Sequence, residues 1–310
     1  MKAAQITNYG EKEVVIISNI PQPVARAGEI LVKVHAASVN PIDWKIQAGY
    51  LAKMAPLTFP KTMGMDLAGV VEQVGESSSE FHPGDVVYGQ SVFFGAGGAF
   101  AEYAICIAKG LAGKPTNVTY EEAAALPLTG VSAIQAITEH IALKSGQKIL
   151  VHGGAGGIGS MAIQIAKNIG AYVATTASKS EADYVKALGA DEIIDYESQK
   201  FEEVLKEYDA VYDTVGGETY IRSYKVLKEG GVLVSMIEKP TFALNQQYNV
   251  KAISQNTELN TDRLITLKHL VESGVVKVHI DKIFTLDESG EALLHLKKNH
   301  PRGKVVIRVK

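Results

Sequence analysis

One cysteine, Cys106, is all that the 310 residues contain. No intrachain disulfide can form and no cysteine cluster is available to hold a structural metal, which fits a reducing, cytoplasmic setting. Charge of one sign is lacking too: 31 Lys and Arg stand against 34 Asp and Glu, a formal net charge of −3. No basic field exists to attract nucleic acid or an anionic membrane surface. The longest apolar stretch, Ala123 to Ile137, is broken by Pro127 and Gly130, so no transmembrane helix is expected. The opening residues, MKAAQITNYG, lack the apolar core of a secretion signal. No internal repeat or low-complexity tract interrupts the chain. At 46% hydrophobic and 21% charged residues the composition is that of a globular protein, and the length suits two domains.

The richest stretch is Lys148 to Gly159, KILVHGGAGGIG. A short apolar run, Ile149 to Val151, ends in glycines and is followed by an amphipathic segment from Ser160 to Lys167, which reads as strand, tight turn and helix. Gly154, Gly156 and Gly159 satisfy G-x-G-x-x-G, a pattern that turns the chain sharply, admits a pyrophosphate to the backbone and packs helix on strand. Gly154, Gly156, Gly157 and Ile158 are the candidate pyrophosphate contacts, helped by the positive end of the helix dipole.

Around this loop the apolar pattern changes period. From Val14 to Cys106 short runs rich in Val and Ile alternate with Gly, Pro and Asp, predicting the strands of a β-rich domain: Val14–Ile17, Ile30–Val39, Gly69–Val74, Asp85–Tyr88 and Ala101–Ile105. Thr119 and Glu122 then form a capping box, and Gly130 to Ala142 has helical spacing. Strands at 149–151, 172–176, 192–194, 210–213 and 232–235 alternate with helical stretches at 160–167, 181–188, 201–207 and 220–227, as in a doubly wound parallel sheet. Val250–Ser254 reads as a further strand of that sheet and Thr261 to Ser273 as a helix. The strands expected at Asp281–Phe284 and Lys304–Val309 return to the β-rich domain. The expected division is 1–117 with 256–310, and 118–255.

About twenty residues after the glycines, where an NAD-binding unit carries an acid for the ribose 2′-hydroxyl, the chain reads Thr175-Thr176-Ala177-Ser178-Lys179. A carboxylate would repel a 2′-phosphate, whereas a hydroxyl and an ammonium bind one. NADPH is therefore the expected cofactor, with Ser178, Lys179 and Tyr196 as 2′-phosphate ligands. The structural alternative is that Ser178 caps the following helix and Lys179 lies in solvent.

Beyond these motifs the chain resembles the medium-chain dehydrogenase/reductase superfamily, in its zinc-independent quinone oxidoreductase and enone reductase branch. The resemblance is carried by Gly146-Gln147, Leu150, the glycines 154–159, Gln164 and Lys167. It extends through Ser38-Val39-Asn40-Pro41-Ile42-Asp43, Gly98 to Tyr103, Leu126 to Gly130 and Arg302 to Val306. It implies a GroES-like substrate domain built from both ends, a central Rossmann domain, an active-site cleft between them, and dimers or tetramers joined at the Rossmann sheet edge near Val250–Ser254.

Departures from the zinc branch carry information. Gly64-Met65-Asp66-Leu67-Ala68-Gly69 has the spacing of the zinc-dehydrogenase motif with Met65 in place of the ligand histidine, and the ligand cysteine position falls at Asn40. A thioether and an amide do not replace imidazole and thiolate around Zn²⁺, so no metal is expected. His152, beside the glycine loop, reads as a packing residue. The expected chemistry is hydride transfer from NADPH to a quinone or to the activated C=C bond of an α,β-unsaturated carbonyl compound. Asn40, Lys45 and Tyr50 are the candidate catalytic residues; Asn40, Thr129 and Met236 are placed beside the nicotinamide by the resemblance alone. A turn at Asn40, a Lys45 on a solvated helical face and a loop-anchoring Tyr50 remain as plain readings. Trp44, Tyr50, Phe59, Phe93 and Phe94 suit a flat acceptor or a core. The alternative from another class is an NADPH-binding redox sensor that acts through a partner without turnover.

Overall fold

A computed structural model describes residues 1–76, 80–95 and 97–310. It divides into two compact units: 1–128 with 259–273 and 278–310, and 129–258 with 274–277.

The first unit begins with β1 (Lys2–Ile6), which pairs antiparallel with β2 (Val15–Asn19). The long β3 (Glu29–Val39) runs into α1 (Pro41–Gln47). The seven-residue α1 starts with proline at its first position, where the missing N–H has no helical acceptor to lose. β4 (Lys61–Thr62) adds to β1, and β5 (Asp66–Val74), β6 (Val86–Ser91) and β7 (Tyr103–Gly113) follow. β3 pairs with β5, β5 with β6, β6 with β7 and β7 again with β3, so these four antiparallel strands close on themselves. Closure leaves no open edge between them and encloses a core that includes Val32, Val34, Leu67, Val87 and Leu111. The capping box before α2 (Tyr120–Ala124) forms as read: Glu122 N–H donates to Thr119 Oγ1 at 3.2 Å and Thr119 N–H to Glu122 Oε2 at 2.8 Å. α2 packs on β3 and β5, so the residues after the change of sequence period still count with the β-rich unit.

The helix expected at 130–142 is α3 (Pro127–Ile134) continued by a π turn over Gln135–His140. The second unit then alternates β8 (Lys148–Val151), α4 (Gly157–Ile169), β9 (Tyr172–Ala177), α5 (Ala182–Ala187), β10 (Glu192–Asp195), α6 (Phe201–Val204), β11 (Tyr208–Asp213), α7 (Glu218–Ser223), β12 (Leu227–Ser235), α8 (Phe242–Tyr248) and β13 (Lys251–Ser254). The six strands are all parallel in the order β10-β9-β8-β11-β12-β13. The order reverses between β8 and β11, and ligands bind at the carboxyl ends of strands beside such a switch. The glycine loop follows β8.

The chain returns to the first unit with α9 (Thr261–Glu272), which packs on β7 and whose Leu264 carbonyl accepts the buried Tyr88 hydroxyl. β14 (Ile280–Thr285) lies parallel to β15 (Lys304–Arg308), which pairs antiparallel with the second half of β3. Between them runs α10 (Ser289–Asn299), unanticipated although Ala292, Leu293 and Leu296 have helical spacing. The helix expected at 201–207 ends at Val204 because Leu205 is extended and Glu207 is left-handed, at φ 60°. That expected at 220–227 ends at Ser223, tightening into a 3₁₀ turn before β12.

Candidate active site

In the second unit the glycines divide by what excludes a side chain. A Cβ at Gly159 would come within 2.2 Å of the Gly153 carbonyl oxygen, and one at Gly154 within 2.0 Å of Thr175 Oγ1. Both are packing requirements of strand, turn and helix. A Cβ at Gly156 would meet nothing closer than 3.4 Å, and its backbone, at φ −75° and ψ 173°, is open to any residue. Nothing inside the protein demands glycine there, and the position has room for an approaching ligand. The first helical bond of α4 runs from Ser160 N–H to the Gly156 carbonyl at 3.0 Å. The amides of Gly157, Ile158 and Gly159 precede it and have no helical acceptor, leaving a set of donors at the positive end of a thirteen-residue helix. The residues present therefore fit a pyrophosphate.

β9 and β10 end side by side, Ala177 opposite Asp195, which brings Ser178, Lys179 and Tyr196 to one margin of the sheet. Ser178 makes no capping bond; its hydroxyl pairs with Ser180 Oγ at 2.9 Å. Lys179 is exposed, and the Tyr196 ring is 61% exposed while its N–H donates to the Ala177 carbonyl at 3.4 Å. The acid missing after β9 has a neighbour in Asp195, whose carboxyl is held low by Ser198, then by the Glu197 amide, with Lys179 contributing. Asp195 is occupied by its own turn, accepting the Ser198 hydroxyl at 2.6 Å. Met236 follows β12 with its N–H on the Asp213 carbonyl at 3.0 Å, and Thr129, buried on α3, donates to Met161 Sδ of α4 at 3.5 Å.

His152 has a structural place, as its sequence context implies. Ser223 spends its hydroxyl proton on the Thr219 carbonyl at 2.6 Å, so it accepts from His152 Nε2–H at 3.0 Å. Nδ1 then accepts from the Thr176 hydroxyl at 3.1 Å, and Thr176 Oγ1 accepts Gly153 N–H at 3.1 Å. Burial, with the Arg222 charge, lowers the imidazole pKa to about 3, so it stays neutral and ties the start of the glycine loop to β9.

In the first unit Asn40 follows β3, caps α1 and is fully buried. Its Nδ2 donates to Asp66 Oδ2 at 2.9 Å, its Oδ1 accepts from Lys304 Nζ, and its N–H donates to Asp43 Oδ2 at 2.7 Å. The amide orientation follows from chemistry: an ammonium has nothing to accept with, and a carboxylate nothing to donate. Asp66 also receives Gln90 Nε2 at 2.7 Å and Leu128 N–H at 3.2 Å, and Lys304 also donates to the Val39 carbonyl at 2.9 Å. Burial pushes Asp66 up against the pull of Lys304 and of its hydrogen bonds, and the same burial pushes Lys304 down against the two aspartates. The sequence points to Asn40 but not to its holders Asp66, Gln90 and Lys304; the signal available was a lysine directly before the apolar run Val305–Ile307 of β15.

Lys45 Nζ lies 5.8 Å from the centre of the Trp44 ring, and Tyr50, 68% exposed, packs edge-on to the same indole at 5.7 Å. The five aromatics do not form one face. Trp44 also takes Lys297 Nζ of α10 at 5.4 Å, Phe59 pairs with Tyr9 at 4.9 Å, and Phe93 pairs with Phe94 at 5.2 Å. Phe93 is buried in the core while Phe94 is exposed. Lys61, which burial lowers to about 8, holds the carbonyls of Phe93, Gly95 and Gly97 in that loop. Among the described residues no group of three or more His, Cys, Asp or Glu side chains is gathered for a metal ion. Among them, too, no helix is long and apolar enough to cross a membrane.

Comparison with known proteins agrees with this architecture. Residues 26–116 match the family model for the alcohol dehydrogenase GroES-like domain, and residues 188–307 that for zinc-binding dehydrogenase. The chain is 38% identical to a 2-methylene-furan-3-one reductase of Solanum lycopersicum, over 99% of its own length and 79% of the relative's. It is 36% identical, with the same coverage, to a chloroplastic NADPH-dependent alkenal/one oxidoreductase of Arabidopsis thaliana. The solved quinone oxidoreductase of Coxiella burnetii superposes with a TM-score of 0.93 at 35% identity, covering 100% of this chain and 99% of that one. With a β-rich unit closed through β3 and a six-stranded parallel sheet bearing the glycine loop, the chain belongs to the medium-chain dehydrogenase/reductase superfamily, in its quinone oxidoreductase and alkenal/one reductase branch.

Proposed function

We propose that this protein is an NADPH-dependent reductase that delivers hydride to a quinone or to the β-carbon of an α,β-unsaturated carbonyl compound, without zinc. The observation that carries the reading is the bare Gly156 at the head of α4, beside a strand end that offers Ser178 and Lys179 where an acid would select NAD. When bound, NADPH supplies the hydride. Gly154, Gly156, Gly157 and Ile158 receive the pyrophosphate, and Ser178, Lys179 and Tyr196 the 2′-phosphate. Thr129 and Met236 flank the nicotinamide. On the acceptor side Asn40 has one amide hydrogen left after its bond to Asp66, and it donates that hydrogen to the oxygen on which negative charge develops. Lys45 and Tyr50 bring an ammonium and a hydroxyl to polarise or protonate the acceptor.

Two features support a metal-free site. Met65 offers a thioether, and the only side-chain oxygen of Asn40 already takes the Lys304 ammonium, whose charge repels a cation. A homodimer joined along β13 fits the sheet, since β13 pairs with β12 alone among the described strands. The lone buried thiol of Cys106 suits a cytoplasmic setting.

A panel of quinones and 2-alkenones, assayed by NADPH oxidation with NADH in parallel, tests the function. Turnover with at least one class and preference for NADPH are expected. Binding of NADPH with no turnover of any acceptor overturns the enzyme reading in favour of a cofactor-dependent sensor, and stoichiometric zinc in the purified protein overturns the metal-free site.

A further inference from the structure

The cluster around Asn40 contains one cation and two carboxyl groups, Lys304, Asp66 and Asp43, all fully buried. One ammonium compensates one carboxylate, and a second carboxylate held away from water without a partner charge takes up a proton. Hydrogen bonds decide which one. Asp66 accepts from Gln90, Asn40 and Leu128, each of which favours its ionised form. Asp43 accepts only the Asn40 N–H, through Oδ2; its Oδ1 is buried with no hydrogen-bond partner.

We infer that Asp43, and not Asp66, is the carboxyl that carries the proton up to neutral pH and that, in this form, it is the positioning residue that holds Asn40 ready for the acceptor. The charged groups facing it are Asp66 of β5 and Lys304 of β15. On its own helix Lys45 lies against Trp44, and on α10, which packs on α1, Lys297 is taken by Glu11 at 2.6 Å. Burial, the largest effect, raises the Asp43 carboxyl to about 7, Asp66 adding to the rise while the Asn40 N–H and Lys304 oppose it. Loss of the proton leaves the cluster one negative charge in excess beside the amide that must meet a developing oxyanion. Reduction therefore slows as pH rises through neutrality. This inference rests on Asn40 being the acceptor-side donor.

The test compares kcat/KM for a fixed acceptor from about pH 5.5 to about pH 9 in the wild type and in Asp43→Asn. The amide can still accept the Asn40 N–H and cannot ionise. In the wild type kcat/KM is expected to fall about tenfold per pH unit above the Asp43 pKa. Asp43→Asn should lack the fall, its kcat/KM staying nearly level across the same range. An alkaline limb unchanged in Asp43→Asn overturns the positioning role. Infrared difference spectra give a readout that needs no turnover: a protonated-carboxyl C=O band near neutral pH, lost in alkali, absent from Asp43→Asn and shifted in Asp43→Glu. Absence of that band from the wild type overturns the protonation state whether or not the protein is a reductase. Its presence in a protein that reduces nothing leaves the protonation state standing and condemns the reductase reading instead. Should Asp43→Asn fail to fold, the wild-type titration and the Asp43→Glu shift still decide.

Discussion

In the proposed reaction the glycine loop and the Asn40 cluster solve the same problem, holding polar groups ready for a ligand, by opposite means. The loop uses backbone: the Gly157, Ile158 and Gly159 amides, a helix dipole and one position without a Cβ, with no charged side chain in the turn. The Asn40 cluster uses side chains, and buries three ionisable groups to fix one amide. A backbone site costs little to build because its donors are orphaned at any helix start. A buried charge cluster stands only while its members stay matched, so the two regions should fail differently when a residue is changed.

The largest expected failure is Lys304→Met. Removing the only cation leaves Asp66 buried without compensation, and breaking a buried pair in this way costs about 3–5 kcal/mol, measurable as a lowered urea midpoint. Adding Asp66→Asn to the same chain should recover part of that loss; full additivity of the two would break the picture of a matched cluster. The cluster also has a pH signature. Asp43, whose pKa is raised from 3.8 to about 7, contributes stability that is complete below its unfolded pKa and lost as pH rises through about 7, so wild type should lose stability relative to Asp43→Asn across that window.

On the loop side the effects are smaller and fall on binding. Lys179→Ala should weaken NADPH by about tenfold to a hundredfold, the range of a charge-assisted contact of about 1.5–3 kcal/mol, and leave NADH unchanged. Equal losses for both cofactors would remove Lys179 from the 2′-phosphate site. The smallest effect on the fold is expected from Gly156→Ala, which meets no clash and no strained φ. It should leave stability unchanged or raise it by about 0.4–1 kcal/mol while weakening NADPH. Gly159→Ala, by contrast, presses on the Gly153 carbonyl and should destabilise the fold itself.

The same contrast explains what could be read from the sequence. The parallel sheet, its order of strands and helices, and the loop were legible because every signal is local: short runs of three to five residues, glycines at fixed offsets and a capping box at Thr119. The seven-residue α1 was legible only in part: Lys45 reads as lying on a helical face, but Asn40-Pro41 reads as a turn until Pro41 is seen at the first helical position. The Asn40 cluster was legible only at one corner. Asn40, Asp66, Gln90 and Lys304 come from separate strands or strand ends, and only the pairing of β15 and β5 with β3, and of β6 with β5, brings them together. Nor could composition say that Trp44, Phe59 and Phe93 pack into separate pairs, since aromatic contacts depend on which elements face each other.

The claim that both regions serve one reaction is tested most directly by a single-turnover measurement with NADPH deuterated at nicotinamide C4, at saturating quinone or 2-alkenone. NADPH oxidation is expected to be slower with the cofactor deuterated at both C4 positions, as breaking that C–H bond requires. Equal rates for the two cofactors, or no oxidation with any acceptor, would contradict the claim.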